Sequence, residues 1–272
     1  MKFLRFKNQN KIKTGYFDGK KVIELKKDIL NYFNININDL KNDMIKSHSL
    51  EDIKIINPVE PSKIVCIGLN YKDHAKEMNL KLPNEPKLFI KPSTTVIGHE
   101  DNIIYPQISK RVDYEGELAV VIGKTTKKIG IKEAKNYIFG YTNINDITAR
   151  DITINDEQWT RGKSFDTFAP IGPFIETEMN PLNQNIKLFV NNKIKQNSNT
   201  SNMIFSPYEL VKYISDVMTL NPGDIIATGT PPGVSSMNKG DIVSLQIDNI
   251  GTLTNYLIED TTKLEDELWK LQ

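Results

Sequence analysis

Two glutamates separated by one residue, in Asp113-Tyr114-Glu115-Gly116-Glu117, precede the apolar run Leu118-Ala119-Val120-Val121-Ile122. The run reads as a strand. Successive side chains on a strand point to opposite faces, so Glu115 and Glu117 emerge on the same face. Two like charges side by side repel by an amount comparable to a cross-strand contact, about 0.2–1 kcal/mol, unless water separates them or a cation lies between them. A solvated acidic edge and a site for a hard divalent cation both fit this pair. A cation needs further oxygen ligands, and Asp146, at the end of the β-like segment Gly140-Tyr141-Thr142-Asn143-Ile144-Asn145-Asp146, is a candidate third.

The chain has three histidines, His48, His74 and His99. A zinc centre built from several imidazoles is therefore nearly excluded, and no His-Glu-x-x-His pair occurs. His48, among polar residues, reads as a surface side chain, and His99 as a loop residue. His74 differs because Glu77 follows three positions later. On a helical turn the two share a face, where the carboxylate orients and charge-stabilises the imidazole. Lys163 lies in Arg161-Gly162-Lys163-Ser164, which superficially suggests a phosphate loop. That loop requires glycine five residues before its Gly-Lys pair, where this chain has Glu157, so nucleotide binding is disfavoured. Gly229-Thr230-Pro231-Pro232-Gly233 is a rigid turn able to aim the Thr230 hydroxyl and backbone N–H groups at a carboxylate.

The elements that must position these groups are mostly strands. Short β-like runs recur at Ile64–Ile67, Leu88–Ile90, Leu118–Ile122, Ile186–Val190, Ile225–Ala227, Ile242–Gln246 and Thr252–Leu257, punctuated by Gly and Pro. Short helices are expected at Lys132–Lys135 and at Ser206–Ser215, where Ser206 caps and Pro207 takes the first helical position. The pattern is not an alternation of strand and helix and predicts a mainly β, α+β fold with a mixed or antiparallel core. Before it, residues 1–58 form a small N-terminal β/α module, with a hairpin at Asp18-Gly19, a spaced Leu/Ile pattern from Asp28 to Ile56 and a helix start near Ser49. Pro58 and Pro61 mark its end, leaving 59–272 as the catalytic domain. Cys66, in a β-branched run, reads as a buried structural thiol.

With 35 basic and 34 acidic residues, the chain of 272 residues carries a net charge of +1, which implies no nucleic-acid partner. The first residues lack a signal-peptide core, and no run approaches the ~20 apolar residues of a membrane span. A soluble, cytoplasmic protein with no membrane partner is expected.

Six segments, in order over roughly residues 60–260, resemble the fumarylacetoacetate hydrolase superfamily, specifically its acylpyruvate hydrolase and 2-hydroxyhepta-2,4-diene-1,7-dioate isomerase-like branch. They are Gly68-Leu69-Asn70-Tyr71-Lys72-Asp73-His74-Ala75-Lys76-Glu77-Met78, Phe89-Ile90-Lys91-Pro92-Ser93-Thr94, Asp113 to Leu118, Asn145 to Asp151, Arg161 to Thr167, and Pro222 to Val234. The resemblance implies an intertwined β-roll and a homodimer. It implies Mg²⁺ or Mn²⁺ on Glu115, Glu117 and Asp146, a water-activating His74–Glu77 dyad, and Lys163 reaching into the metal site. It also implies substrate contacts from Asn70, Tyr71, Lys91, Arg150 and Thr230. Where the family often has Gln for the reacting carbonyl, this chain has Thr153, and three carboxylates rather than four favour the acylpyruvase-like branch. The implied activity is hydrolysis of a C–C bond in a small 2,4-dioxo acid, with oxaloacetate decarboxylation, diacid isomerisation or an inactive metal-binding scaffold as alternatives. Lys76 to Lys91, with Pro83 and Pro86 and few core-type residues, is expected to be a lid.

Overall fold

A computed structural model describes residues 1–262 of the chain; residues 263–272, the tail of the expected catalytic domain, lie outside the described residues. The fold is mainly β, as its sequence predicts. A twelve-stranded sheet runs through Met44–His48, Val22–Leu25, Lys11–Phe17, Lys2–Asn8, Ala169–Glu176, Ile138–Asn145, Gly116–Ile122, Ile225–Ala227, Ile64–Ile67 and Leu88–Lys91, with two short strands attached beside this path. A five-stranded sheet, Lys193–Asn199, Asn185–Val190, Ile242–Ile247, Gly251–Glu259 and Asn102–Tyr105, packs against it, and a three-stranded sheet joins Thr148–Ala149, Val112–Tyr114 and Ser235–Met237. Pairing is mostly antiparallel, with parallel exceptions such as Ile225–Ala227 beside Ile64–Ile67.

The strand Gly116–Ile122 explains why the sheet is buried on both sides: each of its residues is buried. Leu118, Val120 and Ile122 enter the larger core with Leu188 and Leu245. Ala119 and Val121, on the other face, enter a second core with Phe3, Ile29, Tyr32 and Leu40. Each fully buried aliphatic side chain of this size contributes about 1.5–3 kcal/mol, so the strand is anchored from both sides. The expected helix near Ser206 spans Pro207–Val217, with a capping box between Ser206 and Glu209 and Leu210, Val211 and Ile214 turned inward.

The N-terminal strands continue the large sheet, because Lys2 pairs with Glu176 and Phe3 with Ile175. The Asp18-Gly19 hairpin joins Lys11–Phe17 to Val22–Leu25 as expected. Three local expectations need correction. Ser49 begins only a 3₁₀ turn, Leu50–Asp52, because the chain then enters a strand, Lys54–Ile56, that pairs with Lys2–Asn8. The Lys132–Lys135 segment lies in a 3₁₀ helix, Ile131–Tyr137. His48 is buried rather than on the surface, because pairing with Val22 turns its ring inward against Phe6.

The ring nitrogen Nε2 of His48 lies 2.7 Å from Glu24 Oε2, and Lys13 Nζ donates to Glu24 Oε1 at 2.6 Å. Burial raises the Glu24 carboxyl, but the bonds from Lys13 and His48 outweigh it and hold the group below its usual 4.5. A carboxylate depressed in the folded state adds stability above its unfolded pKa and loses it as pH falls through the folded value. Glu24→Gln is therefore expected to cost about 1–3 kcal/mol at neutral pH. In urea titrations the gap from the parent protein should close as pH drops below about 4.5. A gap unchanged by acid would contradict the assignment.

Candidate active site

The acidic cluster arises from one strand pairing. Gly116 faces Asn145 across the ladder, which brings the end of one strand, Glu115 and Glu117, beside the residue that follows the other, Asp146. Two bonds fix the approach: Asp146 N donates to Glu115 O at 2.8 Å, and Glu115 N to Asn145 Oδ1 at 2.9 Å. Carboxylate oxygens of Glu115, Glu117 and Asp146 then lie within 4.8 Å of one another, all three buried.

Buried like charges need compensation. Lys163, at the end of the short helix Thr160–Lys163, donates to Glu115 Oε2 at 2.7 Å and to Asp146 Oδ2 at 2.6 Å. Its ammonium also lies 5.0 Å from the centre of the Phe89 ring. Arg150 donates to Glu115 Oε1 and, at 2.8 Å, to Asp113 Oδ2. Burial works against the charge of Glu115, but Lys163 and Arg150 outweigh it and pull the carboxyl down to about 2. Burial likewise opposes the charge on Lys163, yet Asp146 and Glu115 hold its pKa above the usual lysine value, so it stays an ammonium. Glu117 is the exception. Burial, then Asp146 and Glu115, push its carboxyl well up. It accepts one bond, from Gly229 N at 2.7 Å, and among the described residues no basic side chain pairs with it.

The helix Lys72–Glu77 carries the second group. His74 Nδ1 lies 2.8 Å from Glu77 Oε2, as the spacing predicts. The helix is pinned at both ends: Asp73 Oδ2 accepts from Ser198 Oγ at 2.5 Å, and Gly233 N donates to Glu77 Oε1 at 3.0 Å. Gly233 has φ +96°, and a Cβ there would lie 2.1 Å from Lys195 O, so only glycine brings that N–H to Glu77. His74, Glu77, Glu115, Glu117, Lys163 and Thr230 line one cavity of about 860 Å³, together with Arg150, Thr153 and an apolar wall that includes Phe89 and Trp159.

The expected substrate contacts divide. Asn70, Tyr71 and Lys91 do not line the cavity. Asn70 is fully buried and spends its amide on Thr228 O at 2.7 Å, Phe205 O at 3.0 Å and Phe205 N at 2.8 Å. The Tyr71 hydroxyl is buried and, among the described residues, has no partner. Lys91, wholly buried, donates to Asp146 Oδ1 at 2.6 Å and Ile147 O at 2.9 Å; it braces a carboxylate from behind instead of facing a ligand. Arg150 and Thr230 line the cavity, but Arg150 is bound to acids, and the Thr230 hydroxyl donates to Gly116 O at 3.0 Å. Thr153 turns its hydroxyl to Arg150 O at 2.9 Å. Asp113, unassigned by sequence, is fully buried and binds both Arg111 and Arg150. Its place two residues before Glu115, the same alternate spacing that singles out Glu115 and Glu117, is the signal that marks it.

The expected lid is shorter than Lys76–Lys91. Leu88–Lys91 is a strand paired with Ile64–Ile67, and residues 78–87 alone form the irregular segment. Met78, Leu80 and Leu82 within it are about half exposed.

The family model described as fumarylacetoacetate (FAA) hydrolase C-terminal matches residues 63–258, and the chain belongs to this family. It is 42% identical over 223 residues to the mitochondrial oxaloacetate tautomerase fahd2 of Xenopus laevis, covering 77% of this chain and 70% of that protein. Among solved structures, it is similar to a 5-carboxymethyl-2-hydroxymuconate delta-isomerase from Mycobacterium smegmatis, with 35% identity, a TM-score of 0.87, and 96% and 100% of the two chains covered. It is also similar to a maleylpyruvate hydrolase from Sphingobium sp. SYK-6 in complex with manganese(II) and pyruvate, with 27% identity, a TM-score of 0.80, and 96% and 100% covered. Relatives of this chain are thus enzymes of the family, with isomerase and tautomerase activities among them.

The donor set fits a divalent cation. Three clustered carboxylates are the hard oxygen ligands that Mg²⁺ and Mn²⁺ take, and Glu117 is held among negative neighbours without a basic partner. Adding Mn²⁺ at a hundredfold excess over its Kd is expected to stabilise the protein by about 2.7 kcal/mol, and Glu117→Gln to lose most of that gain. Thermal unfolding with and without the ion measures it; an equal gain in the variant would refute the ligand assignment. Residues 78–87 are expected to gain hydrogen-exchange protection when oxalate and Mn²⁺ are added together. Unchanged protection would assign the segment to a plain surface connection.

Proposed function

We propose that the protein is a divalent-metal-dependent enzyme that moves a proton at C3 of a small 2-oxo carboxylic acid, interconverting keto and enol forms. One observation carries this reading. His74 gives Nδ1 to Glu77 and, among the described residues, keeps Nε2 without a partner, in the cavity that also exposes Glu115, Glu117 and Lys163.

Glu115, Glu117 and Asp146 would hold Mg²⁺ or Mn²⁺. When bound, the ion supplies Lewis-acid polarisation of the substrate's oxygens. The remaining work falls to the chain itself. Neutral His74, fixed in one tautomer by Glu77, takes the C3 proton on Nε2; the C–H electron pair becomes the C2–C3 double bond, and negative charge moves to the 2-oxo oxygen. Glu77 stabilises the imidazolium that forms, Gly233 N keeps the carboxylate aimed, and the imidazolium then returns its Nε2 proton to the 2-oxo oxygen, which completes the enol. Lys163, whose pKa is raised, serves as a fixed positive charge near the developing oxyanion and does not give up its proton. Phe89 and Trp159, packed edge to face at 5.2 Å, form an apolar wall of the cavity.

The Xenopus relative's name as an oxaloacetate tautomerase and the isomerase among the structural neighbours support this reading. C–C hydrolysis of a 2,4-dioxo acid is the second reading. It uses the same dyad to deprotonate water and is supported by the hydrolase among the structural neighbours. Hydrolysis also needs a donor at the distal carbonyl, and the Thr153 hydroxyl is already committed to Arg150 O. Proton transfer needs no such group, and for that reason it is preferred here.

The test supplies purified protein and Mn²⁺ with enol-oxaloacetate, followed by its ultraviolet absorbance, and with an acylpyruvate, followed by release of pyruvate. Faster loss of the enol without pyruvate release is expected. His74→Ala should lower the rate by about 10²–10⁴-fold while the Mn²⁺ melting shift stays intact. Full activity in that variant would refute the role of His74, and pyruvate release as the main reaction would favour hydrolysis.

A further inference from the structure

Gln196 is the single buried residue of the strand Lys193–Asn199, whose other positions are exposed or half-exposed. A buried amide on an outer strand of the five-stranded sheet is costly unless its donors and acceptor are all used. They are. Oε1 accepts from Gly116 N at 2.9 Å, and Nε2 donates to Thr230 Oγ1 and to Pro231 O, both at 2.8 Å. Thr230 Oγ1 in turn donates to Gly116 O at 3.0 Å, which closes a ring of bonds around the peptide groups of Gly116.

Gly116 stands between Glu115 and Glu117, and its free face is what admits the ring. A Cβ there would lie 2.8 Å from Leu245 Cδ1 and 3.2 Å from Gln196 Oε1. On its other side the ring grips the 229–233 turn, which gives Gly229 N to Glu117 and Gly233 N to Glu77. One side chain therefore spans the acidic cluster and the His74–Glu77 dyad without lining the cavity. The geometry points to Gln196 as a positioning residue that sets the spacing between the metal-holding acids and the proton-transferring dyad, acting through Gly116 and Thr230.

The inference rests on the metal reading above, and its first readout is metal affinity, not turnover. Mn²⁺ titration calorimetry is done on the full chain and on Gln196→Met, which keeps volume and removes all three bonds. Gln196→Glu, which keeps the acceptor and loses both donors, is the second variant should the first fail to fold. Val243→Ala, two strands away in the same sheet, serves as a control for general loss of stability. Removing partners behind metal ligands typically costs about 10–100-fold in metal affinity, and that loss is expected for Gln196→Met but not for the control. Thr230→Val opens the same ring from its other side, so the double variant should lose little more than the worse single one. A Gln196 variant that folds and binds Mn²⁺ within twofold of the parent protein overturns the inference, as does an equal loss in the control. A parent protein that binds no Mn²⁺ overturns the metal reading together with it.

Discussion

Three carboxylates forced together out of water set the terms for everything near them. Left alone, such a cluster would drive its members to protonate or the chain apart, since burial and mutual repulsion act in the same direction. The protein answers unevenly. Glu115 is held by Lys163 and Arg150, and Asp146 by Lys163 and Lys91, while Glu117 receives only a backbone N–H. The unevenness leaves Glu117, among the described residues, with no basic side chain to favour its ionised form, and a small dication is a partner that would do so.

The same constraint accounts for the architecture. A strand that ends in two buried acids needs more anchoring than one hydrophobic face supplies, and Gly116–Ile122 has two, with Leu118 and Val120 in one core and Ala119 and Val121 in the other. Elements that bring the remaining groups all terminate at this strand end. Helix Lys72–Glu77, the turn 229–233 and helix Thr160–Lys163 are short, and each is fixed by hydrogen bonds or packing at a defined point instead of by length.

How much of this was legible in the chain depended on the range of the interaction. The acids at 115 and 117 and the pair at 74 and 77 follow from local periodicity, and the mainly β character from short β-branched runs between glycines and prolines. What failed did so through tertiary contacts. His48 sits among polar neighbours in sequence, yet pairing with Val22 buries it against Glu24. Lys91 carries no local mark of burial, but it is the one buried residue of an edge strand and its ammonium ends on Asp146. Gln196 is invisible for the same reason, since its three bonds reach residues 80, 34 and 35 positions away. The end of the irregular segment at Leu88 was likewise set by pairing with Ile64–Ile67, which the Pro and Asn content of the stretch does not reveal.

The strand Lys2–Asn8 is placed inside the large sheet by one near and one distant partner in sequence, with Lys11–Phe17 on one side and, at its beginning, Glu176 on the other; the N-terminal amine and Glu176 are 175 positions apart. During synthesis the first hairpin leaves the ribosome long before the strand that completes it. Until Ala169–Glu176 arrives, the start of that strand has an open edge, and Phe3 lacks the Ile175 that pairs with it. Pairings of such long sequence separation slow folding because the intervening chain must be closed before the contact rewards it. The nascent protein therefore passes through a long interval in which this strand keeps an exposed, pairable edge, and the interval ends only when residue 176 has been made.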